Sequence, residues 1–206
     1  MSKTKSKKIV IYGAGGHGLV VAEAAEASGW TVVGFFDDGM HEGKPVERWK
    51  VLAQEKVGVA TGVIIGIGEN VTRGRIFDRM VRAHRRLETI VHPTAWLSPS
   101  AKIGRGVCIG AHAVVNARAQ VADGAIINSA AVVEHDCQIG EHAHVGPNAA
   151  LGGDVVVGGF TLIGVGASVR PAVKIGERCV VGAGAVVVAD VAAGRTVVGV
   201  PAKIRR

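Results

Sequence analysis

The chain has 206 residues, of which 48% are hydrophobic and only 4% aromatic, with 30 glycines, three cysteines and a formal net charge of +7. No apolar run is long enough for a membrane span or a signal peptide, and three cysteines without a CxxC pair argue against a disulfide framework or a zinc ribbon, so we expect a soluble, cytoplasmic protein with buried free thiols. We expect solvated basic tails rather than a nucleic-acid partner, because no aromatic-studded basic surface is visible and the net charge equals that of seven terminal residues: Lys3, Lys5, Lys7, Lys8, Lys203, Arg205 and Arg206.

The first third of the chain alternates predicted strands with predicted helices. Residues 8–17, KIVIYGAGGH, predict a buried strand that runs into a glycine loop, and the LVVAEAAEASG that follows predicts a helix. A second strand, TVVGFF, ends at Asp37 and Asp38. The glycines of a GxGxxG pattern are Gly13, Gly15 and Gly18. Such a loop lets phosphates approach a helix N-terminus, and the acid after the second strand meets a ribose hydroxyl.

A third strand, VIIGIG, ends at Gly66 and Gly68, and a helix with a basic face follows at roughly residues 71–84. We expect its four arginines to lie on a solvated face: Arg73, Arg75, Arg79 and Arg82. Only about 85 residues precede the repeat described next, which is half of a doubly wound domain. Binding of a nucleotide-sugar requires only one such half-domain. We therefore predict a half-Rossmann (βαβαβ) domain over residues 1–88 that binds a nucleotide-sugar, in preference to a nicotinamide dehydrogenase.

From Ala101 onward the sequence divides into blocks of six. The third residue is Ile, Val or Leu in all fifteen blocks from Ile103 through Val187, and Val91 and Leu97 extend the register backwards. The first residue is small or short throughout, and the fourth is Gly in nine of the fifteen blocks. This period fits a short strand followed by a corner, and three blocks close a triangular coil of 18 residues. The aliphatic side chain points inward, and glycine relieves a corner where a Cβ would crowd or φ is unusual.

The repeat resembles that of the hexapeptide-repeat acyltransferases, which fold as left-handed parallel β-helices and assemble as trimers with active sites between neighbouring subunits. Both parts together resemble a narrower group, the sugar acetyltransferases related to the sialic-acid O-acetyltransferase NeuD and the N-acetyltransferase PglD. The motifs that carry this resemblance are YGAGGHG at 12–18, DD at 37–38, IGIGEN at 65–70, VVEHDC at 132–137, HAHVGPN at 142–148 and GVPAK at 199–203. The resemblance covers nearly the whole chain and predicts an all-β left-handed β-helix domain over residues 89–206, with a C-terminal tail.

The resemblance implies a homotrimeric, acetyl-CoA-dependent N-acetyltransferase that acts on a UDP-type nucleotide-linked amino sugar and needs no metal. The residues that it implies for the nucleotide-sugar pocket are Gly15, Gly16, His17, Asp37, Asp38 and Gly68. The residues that it implies for acetyl-CoA are His144, Gly153, Val165 and Ala183. Transfer is expected to be direct, without an acyl-enzyme, and backbone N–H groups near Gly152 and Gly153 are predicted to hold the oxyanion.

His135 is the predicted general base. It lies between Glu134 and Asp136, and a carboxylate bonded to one ring nitrogen fixes the tautomer and raises the basicity of the other. The resemblance assigns the base to His135 and its partner to Asp136, where the family carries the longer Glu; Glu134 is the alternative partner. Two further histidines, His112 and His142, occupy the sixth position of their blocks and are predicted to be exposed at corners.

Three other functions stay open. The same base would serve O-acetylation of a sugar hydroxyl such as that of sialic acid, and the N-terminal pocket decides between the two reactions. Carbonic anhydrases of this fold hold zinc with three histidines across an interface, but the histidines of this chain do not reproduce that family's spacing. A non-catalytic dinucleotide sensor or scaffold would tolerate the loss of His135.

Overall fold

The computed structural model describes residues 7–205 and contains an α/β unit followed by a three-sided parallel β-solenoid. This confirms the predicted combination of the two folds. Neither helix in the described part of the chain has the length and apolarity that a membrane span needs. Three residues of the predicted basic tails lie outside the described residues, namely Lys3, Lys5 and Arg206. Lys8 and Lys203 are exposed, as predicted for solvated residues, but each begins a strand and so does not belong to a tail.

The α/β unit has a three-stranded parallel sheet of order β2-β1-β5. Its elements are β1 (Lys8–Tyr12), α1 (Gly16–Ala27), β2 (Thr31–Phe36), β3 (Pro45–Val46), β4 (Trp49–Lys50), a 3₁₀ turn (Gln54–Lys56), β5 (Gly62–Ile65) and α2 (Asn70–Arg82). The antiparallel pair β3–β4 and the 3₁₀ turn, rather than a helix, connect β2 to β5. Because β2 and β5 flank β1 on opposite sides, the strand order reverses there and opens a crevice at the carboxyl ends of β1 and β5.

The solenoid has three faces, and strand residues pair with the residue 18 positions further on, as Val114 does with Val132, except in the last coil, where Val180 pairs with Thr196. Face 1 consists of β7 (Trp96–Leu97), β10 (Val114–Val115), β13 (Val132–Val133), β16 (Ala150–Leu151), β19 (Ser168–Val169) and β22 (Val186–Val187). Face 2 consists of β8 (Lys102–Ile103), β11 (Gln120–Val121), β14 (Gln138–Ile139), β17 (Val156–Val157) and β20 (Lys174–Ile175). Face 3 consists of β6 (Ile90–Val91), β9 (Cys108–Ile109), β12 (Ile126–Ile127), β15 (His144–Val145), β18 (Leu162–Ile163), β21 (Val180–Val181), β23 (Thr196–Val198) and β24 (Lys203–Ile204).

The solenoid interior is one aliphatic core. The first and third residues of the blocks are at most 4% exposed from Val107 through Val187, which confirms the predicted register. Burying each Val, Ile or Leu contributes roughly 1.5–3 kcal/mol before chain entropy opposes it. The third residues at the N-terminal end of the stack are only half-buried, namely Val91, Leu97 and Ile103.

Glycine was expected at the corners either because a Cβ would be crowded or because φ is unusual, and the structure shows these two conditions at different block positions. A Cβ on Gly140 would lie 2.5 Å from Gly159 N, and one on Gly146 would lie 2.6 Å from Ile163 O, so the fourth residue of a block is glycine where the next coil approaches. The unusual φ falls two positions later, on the sixth residue, and is +62° at Asp136. Side chains at the sixth position therefore leave the corner from a left-handed backbone.

A buried arginine joins the α/β unit to the solenoid. Arg73, in α2, is 1% exposed, so its predicted place on a solvated face is wrong, whereas Arg75 and Arg82 are exposed as predicted. The Arg73 guanidinium donates hydrogen bonds to the carbonyls of Ile67, Gly68, Gly124, His142 and Ala143 and to Asn70 Oδ1. Burial lowers the pKa of Arg73 to about 10, which leaves it charged at neutral pH. A cation held by carbonyls from both parts fixes their relative position.

The same helix covers one corner of the solenoid. His142, on the corner between faces 2 and 3, is 5% exposed, so the prediction that it is exposed is wrong, while His112 is exposed as predicted. The ring centroid of His142 lies 5.0 Å from that of Phe77 in α2 and 5.1 Å from that of Phe160. Burial lowers the pKa of His142, so the ring is neutral in this aromatic pocket.

The three cysteines, Cys108, Cys137 and Cys179, are buried and free, as predicted. Burial raises the pKa of Cys108 to about 12 and that of Cys137 to about 11, so both thiols stay protonated at neutral pH. Within residues 7–205, the His, Cys, Asp and Glu side chains form no group of three or more that could hold a metal ion.

Candidate functional site

The glycine loop places the start of α1 at the crevice. Gly13 has φ +105°, and a Cβ on Gly18 would collide with the Gly13 carbonyl, so these two glycines close the turn. A Cβ on Gly15 or Gly16 would meet nothing within 4 Å, so the space beside them is open. In the part of the chain that the structure describes, no side chain caps the N–H groups of the first turn of α1. Open space before an uncapped helix N-terminus is suited to a phosphate group.

Both acids at the end of β2 have partners within the protein. Asp37 accepts hydrogen bonds of 2.9 Å from the backbone N–H of Ala14 in the glycine loop and from the backbone N–H two residues after itself. Asp38 accepts one from the Tyr12 hydroxyl at 2.5 Å and two from Arg79 at 2.9 and 3.0 Å. Asp37 therefore fastens the glycine loop. A ribose hydroxyl at Asp38 would share that carboxylate with Tyr12 and Arg79.

His144 and His17 form a neutral pair between the crevice and face 3. His144 Nδ1 lies 3.3 Å from the Gly68 carbonyl, Asn128 Nδ2 lies 3.0 Å from His144 Nε2, and the two imidazole centroids are 6.2 Å apart. Burial, helped by the Arg73 cation, lowers the pKa of each histidine to about 4. A neutral His144 thus donates to Gly68 and accepts from Asn128, which makes it part of the contact between the α/β unit and the solenoid.

Two cavities adjoin this histidine pair. A cavity of about 440 Å³ lies between the start of α2 and face 3, and its lining includes Gly68, Glu69, His144, Phe160, Leu162 and Val180. A cavity of about 360 Å³ lies between α1 and face 3, and its lining includes His17, Val20, Cys108, Asn128 and Ser129. The structure therefore brings the predicted residues His17, Gly68 and His144 together. Sequence reasoning missed Asn128, although its polar side chain stands at a block position where glycine is the commonest residue.

His135 lies on the corner between faces 1 and 2. Its Nδ1 is 2.8 Å from Asp136 Oδ2, so a neutral ring that donates this hydrogen bond carries its lone pair on Nε2. Of the two candidate partners, Asp136 contacts the ring, while Glu134 accepts a hydrogen bond of 3.3 Å from the backbone N–H of His135. Hydrogen bonds from Arg118, one coil below, and from His135 lower the pKa of Asp136 to about 2. The corner therefore offers a proton acceptor beside an ionised carboxylate, on a ring whose side chain is 58% exposed.

Gly153 lies against the imidazole from the coil above. A Cβ at this position would lie 2.5 Å from Cε1 and 2.6 Å from Nε2 of His135, so only glycine leaves room for the ring. The Gly152 N–H donates to Val169 O at 2.9 Å, so the prediction that it holds an oxyanion is wrong. No acceptor for the Gly153 N–H is found among residues 7–205, which leaves this donor available beside Nε2.

The predicted residues fall on different corners of the prism. Val165 and Ala183 are exposed one coil apart on the corner between faces 3 and 1. His135 lies on the corner between faces 1 and 2, which is opposite face 3. One chain therefore groups His17, Gly68 and His144, and separately groups the His135 corner, but does not bring the two groups together.

Two family comparisons match the two parts of the chain. The PglD N-terminal domain family matches residues 8–80, and the bacterial transferase hexapeptide (six repeats) family matches residues 118–153 and 154–189. The UDP-N-acetylbacillosamine N-acetyltransferase of Bacillus subtilis (strain 168) is 35% identical over 112 residues, which is 51% of this chain and 52% of that protein. The chain thus matches about half the length of this curated relative.

Two solved structures are similar over nearly the whole chain. The acetyltransferase domain of PglB from Neisseria gonorrhoeae FA1090, in complex with acetyl coenzyme A, is 36% identical with a TM-score of 0.92, and the match covers 98% of this chain and 100% of that one. PerB from Caulobacter crescentus, in complex with CoA and GDP-perosamine, is 39% identical with a TM-score of 0.89, and the match covers 97% of each chain.

Proposed function

The chain belongs to the PglD-like family of sugar acetyltransferases, and on that premise we propose that it transfers an acetyl group from acetyl-CoA to the amine of a nucleotide-linked sugar. The observation that carries the proposal is the His135–Asp136 pair, in which Asp136 contacts Nδ1 and leaves the exposed Nε2 to accept a proton. Relatives that bind acetyl coenzyme A or GDP-perosamine support the choice of donor and of acceptor class. Because acetyl-CoA is a cytoplasmic metabolite, we place the reaction in the cytoplasm.

The chemistry needs one base and one oxyanion donor. The neutral sugar amine attacks the thioester carbonyl, a C–N bond forms, and His135 Nε2 takes the amine proton, a contribution of about 10²–10⁴-fold. The developing oxyanion is stabilised by the free Gly153 N–H. The C–S bond then breaks, the CoA sulfur leaves, and the proton returns from the imidazolium to that sulfur or to water. No protein nucleophile is required, because the thioester is already activated.

We assign the nucleotide to the crevice of the α/β unit. The open space beside Gly15 and Gly16 receives the diphosphate at the uncapped start of α1. The neutral His17 and the Gly68 carbonyl then border the sugar side of the pocket, and the end of β2, with Asp37 and Asp38, borders the nucleoside side. The α/β unit has one crevice of this kind and therefore room for one diphosphate, which is what a nucleotide-sugar contains.

We assign acetyl-CoA to the solenoid surface that includes His144, Val165 and Ala183. This surface and the His135–Gly153 corner border face 1 on opposite sides, so we propose a homotrimer in which the His135 corner of one subunit meets the Val165 corner of the next. The outward side chains of face 1 support this packing because most are apolar, namely Trp96, Val114, Val132, Ala150 and Val186. The active site is then completed only between subunits.

A thiol-release assay with acetyl-CoA and a panel of UDP-, dTDP- and GDP-linked amino sugars, with sialic acid included, tests the activity. We expect release with one nucleotide-linked amine and a loss of about 10²-fold or more in kcat for His135→Ala. The matched control is His112→Ala, which removes another exposed corner histidine and should leave kcat unchanged. Release with sialic acid alone would point instead to O-acetylation, and full activity of His135→Ala would refute the mechanism.

A complementation experiment tests the shared site. His135→Ala and His144→Ala subunits are each expected to be impaired alone, because each removes a group from every site. Co-expressed subunits form mixed trimers, and some sites then combine an intact His135 corner with an intact His144 surface. Activity above that of either variant alone supports a site between subunits, and its absence, with mixed trimers present, contradicts one.

A further inference from the structure

Arg118 forms an ion pair with Asp136, whose carboxylate contacts the predicted base His135. Its Nε lies 2.6 Å from Asp136 Oδ1 and its Nη2 lies 2.7 Å from Oδ2, while the same Oδ2 lies 2.8 Å from His135 Nδ1. The two residues are stacked one coil apart, 18 positions along the chain. The Arg118 backbone is itself fixed, because its N–H donates to Ser100 Oγ at 3.1 Å from a left-handed corner with φ +60°.

A forked guanidinium does more here than a neighbouring positive charge would do. It binds both carboxylate oxygens in one plane, and this prevents the carboxylate from rotating away from the imidazole. Asp136 has a single methylene between backbone and carboxylate, so its orientation relative to the ring depends on the left-handed corner and on this fork. A contribution to stability does not explain the Arg118–Asp136 pair, because exposed ion pairs stabilise a protein only slightly.

We propose that Arg118 is a positioning residue for acetyl transfer, which acts through Asp136 to hold the His135 ring with Nε2 toward the substrate. This inference rests on the proposed function, and Arg118 itself contacts neither substrate nor reacting atoms. The charged residues around the His135 corner are Glu134 and Asp136 in its own coil, Arg118 in the coil below and Asp154 in the coil above, whose backbone N–H donates to His135 O. Arg118 offsets part of this negative charge.

The expected effects of Arg118→Met follow from these two roles. With the fork removed, the ring is held less firmly, and we expect kcat to fall about tenfold, within the contribution of a positioned base. With the cation removed, the acids around the ring favour the imidazolium, so the acid limb of the kcat/KM profile should move to higher pH. KM for both substrates should stay within about twofold, because no binding contact is lost. Arg118→Lys restores the positive charge without the bidentate guanidinium. The acid limb of the kcat/KM profile should therefore return to its wild-type pH, while kcat recovers only in part.

The chain contains a matched control in the pair Arg105–Asp123. This pair is also 18 residues apart and lies on another corner, where Arg105 Nη2 is 2.7 Å from Asp123 Oδ2. His142 contacts Asp123 through its backbone N–H, at 3.0 Å, but among residues 7–205 no imidazole forms a hydrogen bond with the pair. Arg105→Met therefore removes an equivalent ion pair far from the base and should leave kcat and the pH profile unchanged. Thermal unfolding of each variant checks that the solenoid is intact.

The decisive measurement is a double-mutant comparison by thiol release, with the amino sugar that the wild type accepts. Asp136→Asn should move the acid limb to lower pH, and adding Arg118→Met to it should change kcat by less than about twofold, because Arg118 acts through Asp136. A fully additive double mutant, or an Arg118→Met profile identical to that of Arg105→Met, would overturn the inference alone. An inactive wild type or a fully active His135→Ala would overturn the proposed function and the inference with it.

Discussion

Replacement of Gly153 by Ala tests the geometry of the base most directly. Gly153 does not have a positive φ, so the backbone accepts alanine without strain. The added Cβ would lie 2.5 Å from His135 Cε1, whereas carbon atoms in contact prefer about 3.5 Å, so the ring must move by about 1 Å. A displacement of this size at a reacting group costs about 10²-fold in rate. We therefore expect kcat in the thiol-release assay to fall by about two orders of magnitude.

The same substitution at Gly159 is the control. Gly159 also holds the fifth position of a block, and a Cβ there would meet its nearest neighbour, Glu141 O, at 3.3 Å, which requires only a small adjustment. Gly159→Ala should keep full activity, and both variants should unfold within a few degrees of the wild type. Undiminished kcat in Gly153→Ala would mean that His135 Nε2 does not work from the position seen here, and the reasoning about this corner would fail.

Three further predictions concern the contact between the two parts of the chain and the glycine loop. Arg73→Met should lower the free energy of unfolding by about 2–4 kcal/mol in urea titrations, because buried carbonyls lose their donor. The pKa values of His17 and His144 are lowered to about 4, so the unfolded chain binds protons below about pH 6.5 while the folded chain does not. Stability should therefore fall by about 2–3 kcal/mol per histidine between about pH 6.5 and pH 4, and the fall should be smaller in His144→Asn, which lacks one of the two histidines. Asp37→Ala loosens the glycine loop, so KM for the nucleotide-sugar should rise about tenfold with kcat nearly unchanged in steady-state kinetics.

The solenoid could be predicted residue by residue because its contacts repeat at a fixed distance along the chain. The six-residue period gave the inward side chains, and the coil length of 18 gave Gly153 as the neighbour of His135, as the structure has it. The same spacing of 18 places Arg118 below Asp136, although the predicted contacts of this corner extended only to the coil above the histidine. That contact was therefore predictable, and the choice of Asp136 over Glu134 was not, because it depends on the direction in which the corner projects each side chain.

The contacts between the α/β unit and the solenoid could not be predicted in this way. Arg73 belongs to a helix with many basic residues, and the carbonyls that accept its hydrogen bonds are backbone groups, which leave no mark in the sequence. His142 occupies a corner like any other, and the packing of Phe77 from α2, together with Phe160, buries it. The α/β unit does not share the six-residue repeat of the solenoid, so the repeat does not indicate which residues meet where the two units pack. Burial at this boundary is seen only in the folded structure.

The separation of the base from the crevice constrains how the proposed enzyme works. The α/β unit packs on face 3, and Arg73 and the His144–Gly68 contact hold it there, so hinge motion within one chain cannot carry a bound sugar around the prism to the opposite corner. Such motion would break the buried hydrogen bonds of a cation, which is costly. The proposed reaction therefore requires that the amine meets His135 of another subunit. The exposure of His135 and of Val165 in a single chain agrees with the proposed site, in which each of two subunits supplies one half.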